Sequence, residues 1–172
     1  MFAKSTHTLI LIILSWIVIP GRAMAQVTSY GKLQAAYIYN FAKYTKWPQD
    51  PVQFNIGILG ETEIMEDIKS TLKDKKASGK GINLLLINTV EQAKDLNILY
   101  IPAQRSGNLP LVLKLLEGSS VLVVTEEDLI RKGAAISFVI EDDKLGFKVN
   151  KSVLSKTNLV LSEGLLKLAI TN

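Results

Sequence analysis

Phe54-Asn55-Ile56-Gly57-Ile58-Leu59-Gly60 is a short apolar run closed by a glycine, and its reading decides the fold. It is too short for a helix and nearly continuous rather than alternating, so it fits a strand covered on both faces. Runs of the same kind recur at 82–87 (INLLLI), 97–101 (NILYI) and 121–124 (VLVV). Segments with helical spacing lie between them. Residues 63–73 carry Ile64, Ile68 and Leu72 on one side, with acids leading and lysines trailing as the helix dipole favours. Residues 109–116 form a second predicted helix with Gly118 near its C-cap, and 126–132 a short third ended by Gly133. Strands that alternate with helices predict a mostly parallel sheet.

Outward from this centre the pattern changes. Toward the N-terminus, Leu33, Ala36, Tyr37, Asn40, Phe41 and Tyr44 predict a helix over 33–46, which Trp47-Pro48 stops because a residue before proline leaves the α region. Toward the C-terminus, Ile136, Phe138 and Ile140 alternate, Asp142-Asp143-Lys144 turns, and Phe147 and Val149 alternate back as a hairpin. Ser162 caps a last helix over 162–170, with Leu165, Leu166 and Ala169 as its apolar side. The expected fold is α/β: a three-layer sandwich, its mostly parallel sheet flanked by helices on both faces, with a C-terminal antiparallel hairpin.

The first residues predict a compartment. Lys4 and His7 precede an apolar run over 9–19, Pro20-Gly21-Arg22 ends it, and Ala23-Met24-Ala25 supplies the small residues a signal peptidase needs. A spanning helix needs about 20 apolar residues, and this run is about half as long. A signal peptide over 1–25, cleaved after Ala25, and one exported periplasmic domain over 26–172 are therefore expected, with no stable membrane anchor after cleavage. Cleavage takes Lys4 and Arg22 from the 20 basic side chains, leaving 18 against 16 acidic ones and a charge of +2. The lysines are scattered among acids without interleaved aromatics, so no nucleic-acid footprint is present.

The chemistry is informative by omission. The chain has no cysteine, and its one histidine, His7, lies in the expected leader. Serine and cysteine triads, most transition-metal sites and histidine acid–base work are thereby excluded from the processed chain. No nucleophile elbow, phosphate-binding loop or dinucleotide fingerprint occurs. No cofactor is expected. Carboxylates are the remaining option: Glu61, Glu63, Glu66 and Asp67 follow one predicted strand, and Glu126, Glu127 and Asp128 follow another. Open α/β sheets bind ligands at such carboxyl ends, so Glu61 and Glu126, with Arg105 in the polar loop 105–108, are candidate ligand-binding residues. The simpler reading is that acids at helix starts complement the dipole.

The helix over 33–46 is apolar almost all the way round. Leu33, Ala36, Tyr37, Phe41 and Tyr44 suffice for a core-facing stripe, which leaves Ala35, Ile38, Tyr39 and Ala42 over. Either the helix is sandwiched within the fold, or these four are candidate partner-binding residues that meet another subunit or protein. Asn40 is read as tying the helix to a neighbouring backbone, and Trp47 as a core anchor.

Residues 33–48 (LQAAYIYNFAKYTKWP) resemble the opening signature of the YfiR-like family of periplasmic proteins. The likeness continues through Phe54-Asn55-Ile56-Gly57-Ile58-Leu59-Gly60, Gly133-Ala134-Ala135-Ile136-Ser137-Phe138, Phe147-Lys148-Val149-Asn150 and the closing residues 161–169 (LSEGLLKLA). The resemblance implies a non-enzymatic α/β regulator that binds the extracytoplasmic part of an inner-membrane signalling protein. That protein is a diguanylate cyclase of cyclic-di-GMP signalling in some members and a sensor histidine kinase in others. It also implies a homodimer. It supplies no catalytic residues, and the cysteines of the name-giving branch are missing here, so redox control does not carry over. A periplasmic small-ligand-binding module, with its pocket at the strand carboxyl ends, is the alternative.

Overall fold

The structure, a computed structural model, describes the backbone of residues 21–170 and side chains from Tyr30 onward; the apolar run over 9–19 lies outside the described residues. Helix α1 (Gly21–Tyr44) leads into the two-residue strand β1 (Thr45–Lys46). The central elements are β2 (Phe54–Leu59), α2 (Met65–Leu72), β3 (Lys76–Ala77), β4 (Lys80–Ile87), β5 (Ile98–Ile101), α3 (Leu109–Leu115) and β6 (Leu122–Thr125). The chain closes with β7 (Ile136–Glu141), β8 (Lys144–Val149), α4 (Lys151–Lys156), β9 (Val160–Leu161) and α5 (Glu163–Leu168).

Seven strands form a mixed sheet in the order β3-β4-β2-β5-β6-β7-β8, flanked by helices, and β1 pairs with β9 in a small antiparallel sheet. The five inner strands β4 to β7 run parallel, and β3 and β8 are antiparallel edges. The apolar runs of β2, β5 and β6 bury both faces, as expected, whereas that of β4 is only half-buried and leaves Leu86 45 % exposed. Ile56, Ile58, Ile98, Tyr100, Leu122 and Val124 join one cluster with α1, α2 and α5. Their neighbours Leu59, Leu99, Ile101 and Val123 join another with Leu109 and Val112 of α3.

Local chemistry sets the ends of these elements. Asp142 and Asp143 both take positive φ (50° and 57°), the left-handed pair that a two-residue hairpin turn of matching twist requires. Ser162 Oγ accepts from Leu165 N–H at 3.3 Å as the cap of α5. Gly133, at φ 101°, ends a 3₁₀ turn over Ile130–Lys132, where the sequence predicts a longer helix from 126. Helix α4, capped by Asn150 Oδ1 on Val153 N–H (3.1 Å), and the short strands β1, β3 and β9 are additions to the predicted elements.

Helix α1 corrects two expectations. It begins at Gly21 rather than at 33, so its backbone runs through the expected cleavage site after Ala25. Its inner face is also rotated from the predicted one. Gln34, Ala35, Ile38, Phe41 and Ala42 are buried, whereas Leu33 and Tyr44 are 40 % and 44 % exposed. Ala35, Ile38 and Ala42 are therefore core residues with no surface to offer a partner; only Tyr39 among the four keeps part of its side chain outside. The small Ala35 and Ala42 and the larger Ile38 and Phe41 all join the hydrophobic cluster that α1 shares with α2 and one face of the sheet. Asn40 is half-buried, and among the described residues its side chain makes no hydrogen bond that would tie the helix to a neighbour. Trp47 is buried, edge-on to Phe54 at 5.0 Å, as a core anchor.

Candidate functional site

At the carboxyl ends of the parallel strands the sheet opens into a cleft of about 530 Å³. Five segments build it, one of them the turn after β5, which brings Gln104. The loop after β2 brings Thr62, Glu63 and Ile64, the turn after β6 brings Glu126, Glu127 and Asp128, and α1 contributes Gln34. The β7–β8 hairpin extends past the end of β6 and adds Phe138, Glu141 and Lys148. Tyr30 Oη, on the rim, donates to the Asp143 carbonyl at 2.7 Å and so connects α1 to the hairpin tip.

The charge in this cleft is lopsided. Glu63, Glu126, Glu127, Asp128 and Glu141 line it against the single cation Lys148. Lys148 Nζ lies 3.1 Å from Asp128 Oδ2 and 3.5 Å from Glu141 Oε1. Its hydrogen bond to Asp128 holds the ammonium pKa above the ordinary lysine value, with Glu141 adding to the effect. Among the described residues the other three acids have no cationic partner, so the cleft favours a positively charged group over an anion. Among the described residues no group of three or more Asp, Glu, His or Cys side chains is arranged to hold a metal ion.

The predicted ligand residues part company here. Glu126 lines the cleft, and its Oε2 accepts from Ala103 N–H at 2.8 Å, joining the end of β6 to the turn that follows β5. Arg105 turns away from the cleft and lies across Gly60, where a β-carbon would stand 2.7 Å from its Nε. Gly60 sits at φ +79°, so the close approach and the left-handed backbone both call for glycine. Glu61 is exposed and does not line the cleft. Asp128, Glu141 and Lys148 come together through the hairpin register, in which Glu141 stands opposite Lys144. Only the charge alternation along the hairpin hints at them in the sequence.

Behind the cleft the polar groups are buried and interlocked. Thr125 Oγ1 and Ser137 Oγ lie 2.7 Å apart, Thr125 donates to the Glu127 carbonyl at 2.8 Å, and Ser137 Oγ accepts from Leu129 N–H at 3.1 Å. These bonds fix the acidic turn to the sheet. Tyr100 is fully buried, and its hydroxyl lies beside the Glu126 carboxylate without completing a hydrogen bond. Burial, and then the Glu126 charge, raise its pKa well above the ordinary tyrosine value.

That shift has a testable sign. Below pH 10, the ordinary tyrosine value, the phenol is neutral in both folded and unfolded chains and has no pH-dependent effect. Above it the unfolded chain ionises first, so stability falls by up to about 1.4 kcal/mol per pH unit. Tyr100→Phe is expected to change stability by no more than about 1 kcal/mol at neutral pH, since no completed hydrogen bond is lost. It is also expected to flatten the alkaline loss. Urea unfolding of both proteins at neutral pH and above pH 10 checks this, and parallel losses with rising pH would contradict it.

Outside the cleft, Leu33 and Tyr44 are exposed on the side of α1 opposite Ile38, among the exposed Lys32 and Lys43 and the half-buried Ala36 and Asn40. Tyr39 lies round the helix from them, under Lys75 Nζ, 5.6 Å from the ring centroid. The surplus apolar surface that the sequence predicts exists, but on different residues. Among the described residues no helix is long and apolar enough to cross a membrane. A profile of the family described as YfiR/HmsC-like matches residues 31–170. No curated protein matches the chain.

Proposed function

From the fact that this chain belongs to the YfiR/HmsC-like family, we propose that it works in the periplasm by binding the extracytoplasmic part of an inner-membrane signalling protein. Members of the family are non-enzymatic regulators, and this chain is one of them. The match over 31–170 is the observation that carries the reading, because it includes nearly every described element. The finer statements are ours: export under a signal peptide cleaved after Ala25, a single domain from 26 to 172, and a sensor histidine kinase or diguanylate cyclase as the partner. The two hydrophobic clusters on opposite sheet faces also support reading the architecture as three layers.

On this reading the partner meets the outer side of α1 at Leu33 and Tyr44, in place of the buried Ala35, Ile38 and Ala42 and of Tyr39, which lies round the helix from Leu33 and Tyr44. Exposed apolar side chains held on a long helix make a rigid surface that costs little ordering on binding. Affinity capture from solubilised membranes, with the processed protein as bait, is expected to recover a membrane protein with a kinase or cyclase domain. Tyr44→Asp is expected to reduce that capture. Recovery of soluble enzymes alone would count against the proposal.

The acidic cleft favours a second reading that is compatible with the first. A small ligand bearing a cationic group, held by Glu63, Glu126 and Glu127, would bind there and tune the partner. Saturation at about 100 times Kd adds about 2.7 kcal/mol of stability. A flat thermal-shift response across a panel of amines and amino acids would remove this reading.

A further inference from the structure

The edge strand β4 is unusually apolar and mostly open. On its inner side it pairs with β2 from Ile82 to Ile87. On its outer side β3 reaches only its first two residues, pairing Ala77 with Lys80 and Lys76 with Gly81. Ile82 N–H still points outward and donates to the Lys75 carbonyl at 3.2 Å, whereas the Ile87 carbonyl points inward and accepts from Gly60 N–H at 2.8 Å. Backbone groups alternate between the two edges along a strand, so Leu84 and Leu86 share the outward direction of Ile82. Their N–H and C=O groups have no partner among the described residues.

Sheet edges of this kind are usually protected by lysine, proline, a bulge or a covering loop. Here Asn83-Leu84-Leu85-Leu86-Ile87 has no charge and no proline, and Leu86 is 45 % exposed. Leu84 also lines an open groove of about 390 Å³ between β4 and α2.

We propose that this edge pairs antiparallel with the β4 edge of a second copy, about a two-fold axis at Leu85. A two-fold perpendicular to the sheet places one residue opposite its own counterpart, and the open groups select which one. Centred on Leu85, the pairing sets Leu84 opposite Leu86 of the second copy, and Leu86 opposite its Leu84. Both are hydrogen-bonded pairs, and their four bonds use the groups left open on each strand. Leu85 then faces Leu85 across a non-bonded pair, with α-carbons about 4.5 Å apart. Centring on Leu84 would instead engage Ile82, whose N–H is already committed to Lys75. All three cross-strand contacts become leucine on leucine, with no like charges opposed. An isologous contact of this sort closes on itself and gives a dimer rather than a filament.

The absence of cysteine makes the test clean, because a single introduced thiol can react only with its counterpart. With the processed full-length protein, Leu85→Cys is expected to form a disulfide-linked dimer under mild oxidation, since the spacing at this pair lies within disulfide reach. Leu86→Cys is expected to remain mostly unlinked. Sedimentation equilibrium of the unmodified protein is expected to give a dimer. Leu86→Pro removes an outward N–H and no bond within the chain, and is expected to weaken the dimer at least about tenfold. Leu86→Lys is expected to do the same if the proline variant folds poorly, with circular dichroism confirming the fold. A protein that stays monomeric throughout, or a dimer untouched by both substitutions, overturns the proposal. So does an edge that gains hydrogen-exchange protection only when membrane extract is added, since a foreign strand would then be the occupant. None of these outcomes bears on membrane capture, which tests the regulatory reading separately.

Discussion

Ile38→Asp is expected to leave the protein unfolded at neutral pH, while Tyr44→Asp on the same helix folds normally. Ile38 is fully buried between α1 and the sheet. A carboxylate there has no cation in reach, and an unpaired buried charge costs several kcal/mol. The lost packing of the isoleucine adds about 2–5 kcal/mol. Together these match the whole stability of a domain this size, about 5–15 kcal/mol. Tyr44 is 44 % exposed and sits under Lys43 Nζ, 4.9 Å from its ring centroid, so a carboxylate there stays solvated beside a cation. Far-UV circular dichroism and urea titration separate the two. A folded Ile38→Asp protein with an unchanged midpoint would mean that α1 lies on the sheet the other way round.

The second large effect belongs to the aromatic group that fastens α1 to the hairpin. Phe41 packs on Phe138 at 6.0 Å and on Phe147 at 5.0 Å, edge-on to the latter, and Tyr37 stacks beside it at 6.2 Å. Phe138 and Phe147 are themselves cross-strand partners in β7 and β8. Removal of the Phe41 ring leaves a cavity that three other rings cannot close without breaking their own contacts. Phe41→Ala is expected to cost about 3–5 kcal/mol. Because the hairpin forms one wall of the acidic cleft, amide exchange in 138–147 is expected to rise along with the global loss. In a protein prepared from residue 26 onward, the fluorescence of Trp47, its one tryptophan, reports the urea midpoint. A midpoint within about 1 kcal/mol of the parent would show that the helix is not held by this ring.

How legible this molecule is in its sequence depends on the kind of pattern involved. The parallel strands announce themselves because a strand buried on both faces must be nearly all apolar, and 54–59, 98–101 and 122–125 are, Asn55 and the buried Thr125 apart. The hairpin is equally plain, since alternation around Asp142-Asp143 has few other meanings. The orientation of α1 was not readable, because a helix apolar on every side has no period to give its rotation. Small residues decided it: Ala35 and Ala42 face inward where bulk was expected, and Leu33 and Tyr44 face out. The run INLLLI looks as buried as the others, yet it forms the outermost long strand on its side of the sheet, since strand order is a tertiary property. The cleft was half visible. Glu63 and Glu126 sit at strand ends where the rule for open sheets places ligands, but Asp128, Glu141 and Lys148 meet only because the hairpin overhangs them.

The same reasoning explains why function resides in surfaces here. A chain without cysteine, and whose one histidine is His7, outside the family match over 31–170, has carboxylates, lysines and shape to work with there. Its candidate surfaces differ in chemistry: the exposed Leu33 and Tyr44 on α1, an acidic cleft at the strand ends and an open apolar edge at β4. A regulator needs one of them to distinguish between states of its partner, because a protein that binds both states equally shifts nothing.

Reconstitution tests that most directly. The captured membrane protein, inserted in liposomes with its extracytoplasmic part accessible, is assayed for kinase or cyclase output with and without a saturating amount of this protein. The account predicts an output changed at least about fivefold, the lower end of ordinary coupling between sites, and restored when Tyr44→Asp replaces the parent chain. Tight binding with unchanged output, or turnover of a substrate by this protein alone, would contradict it.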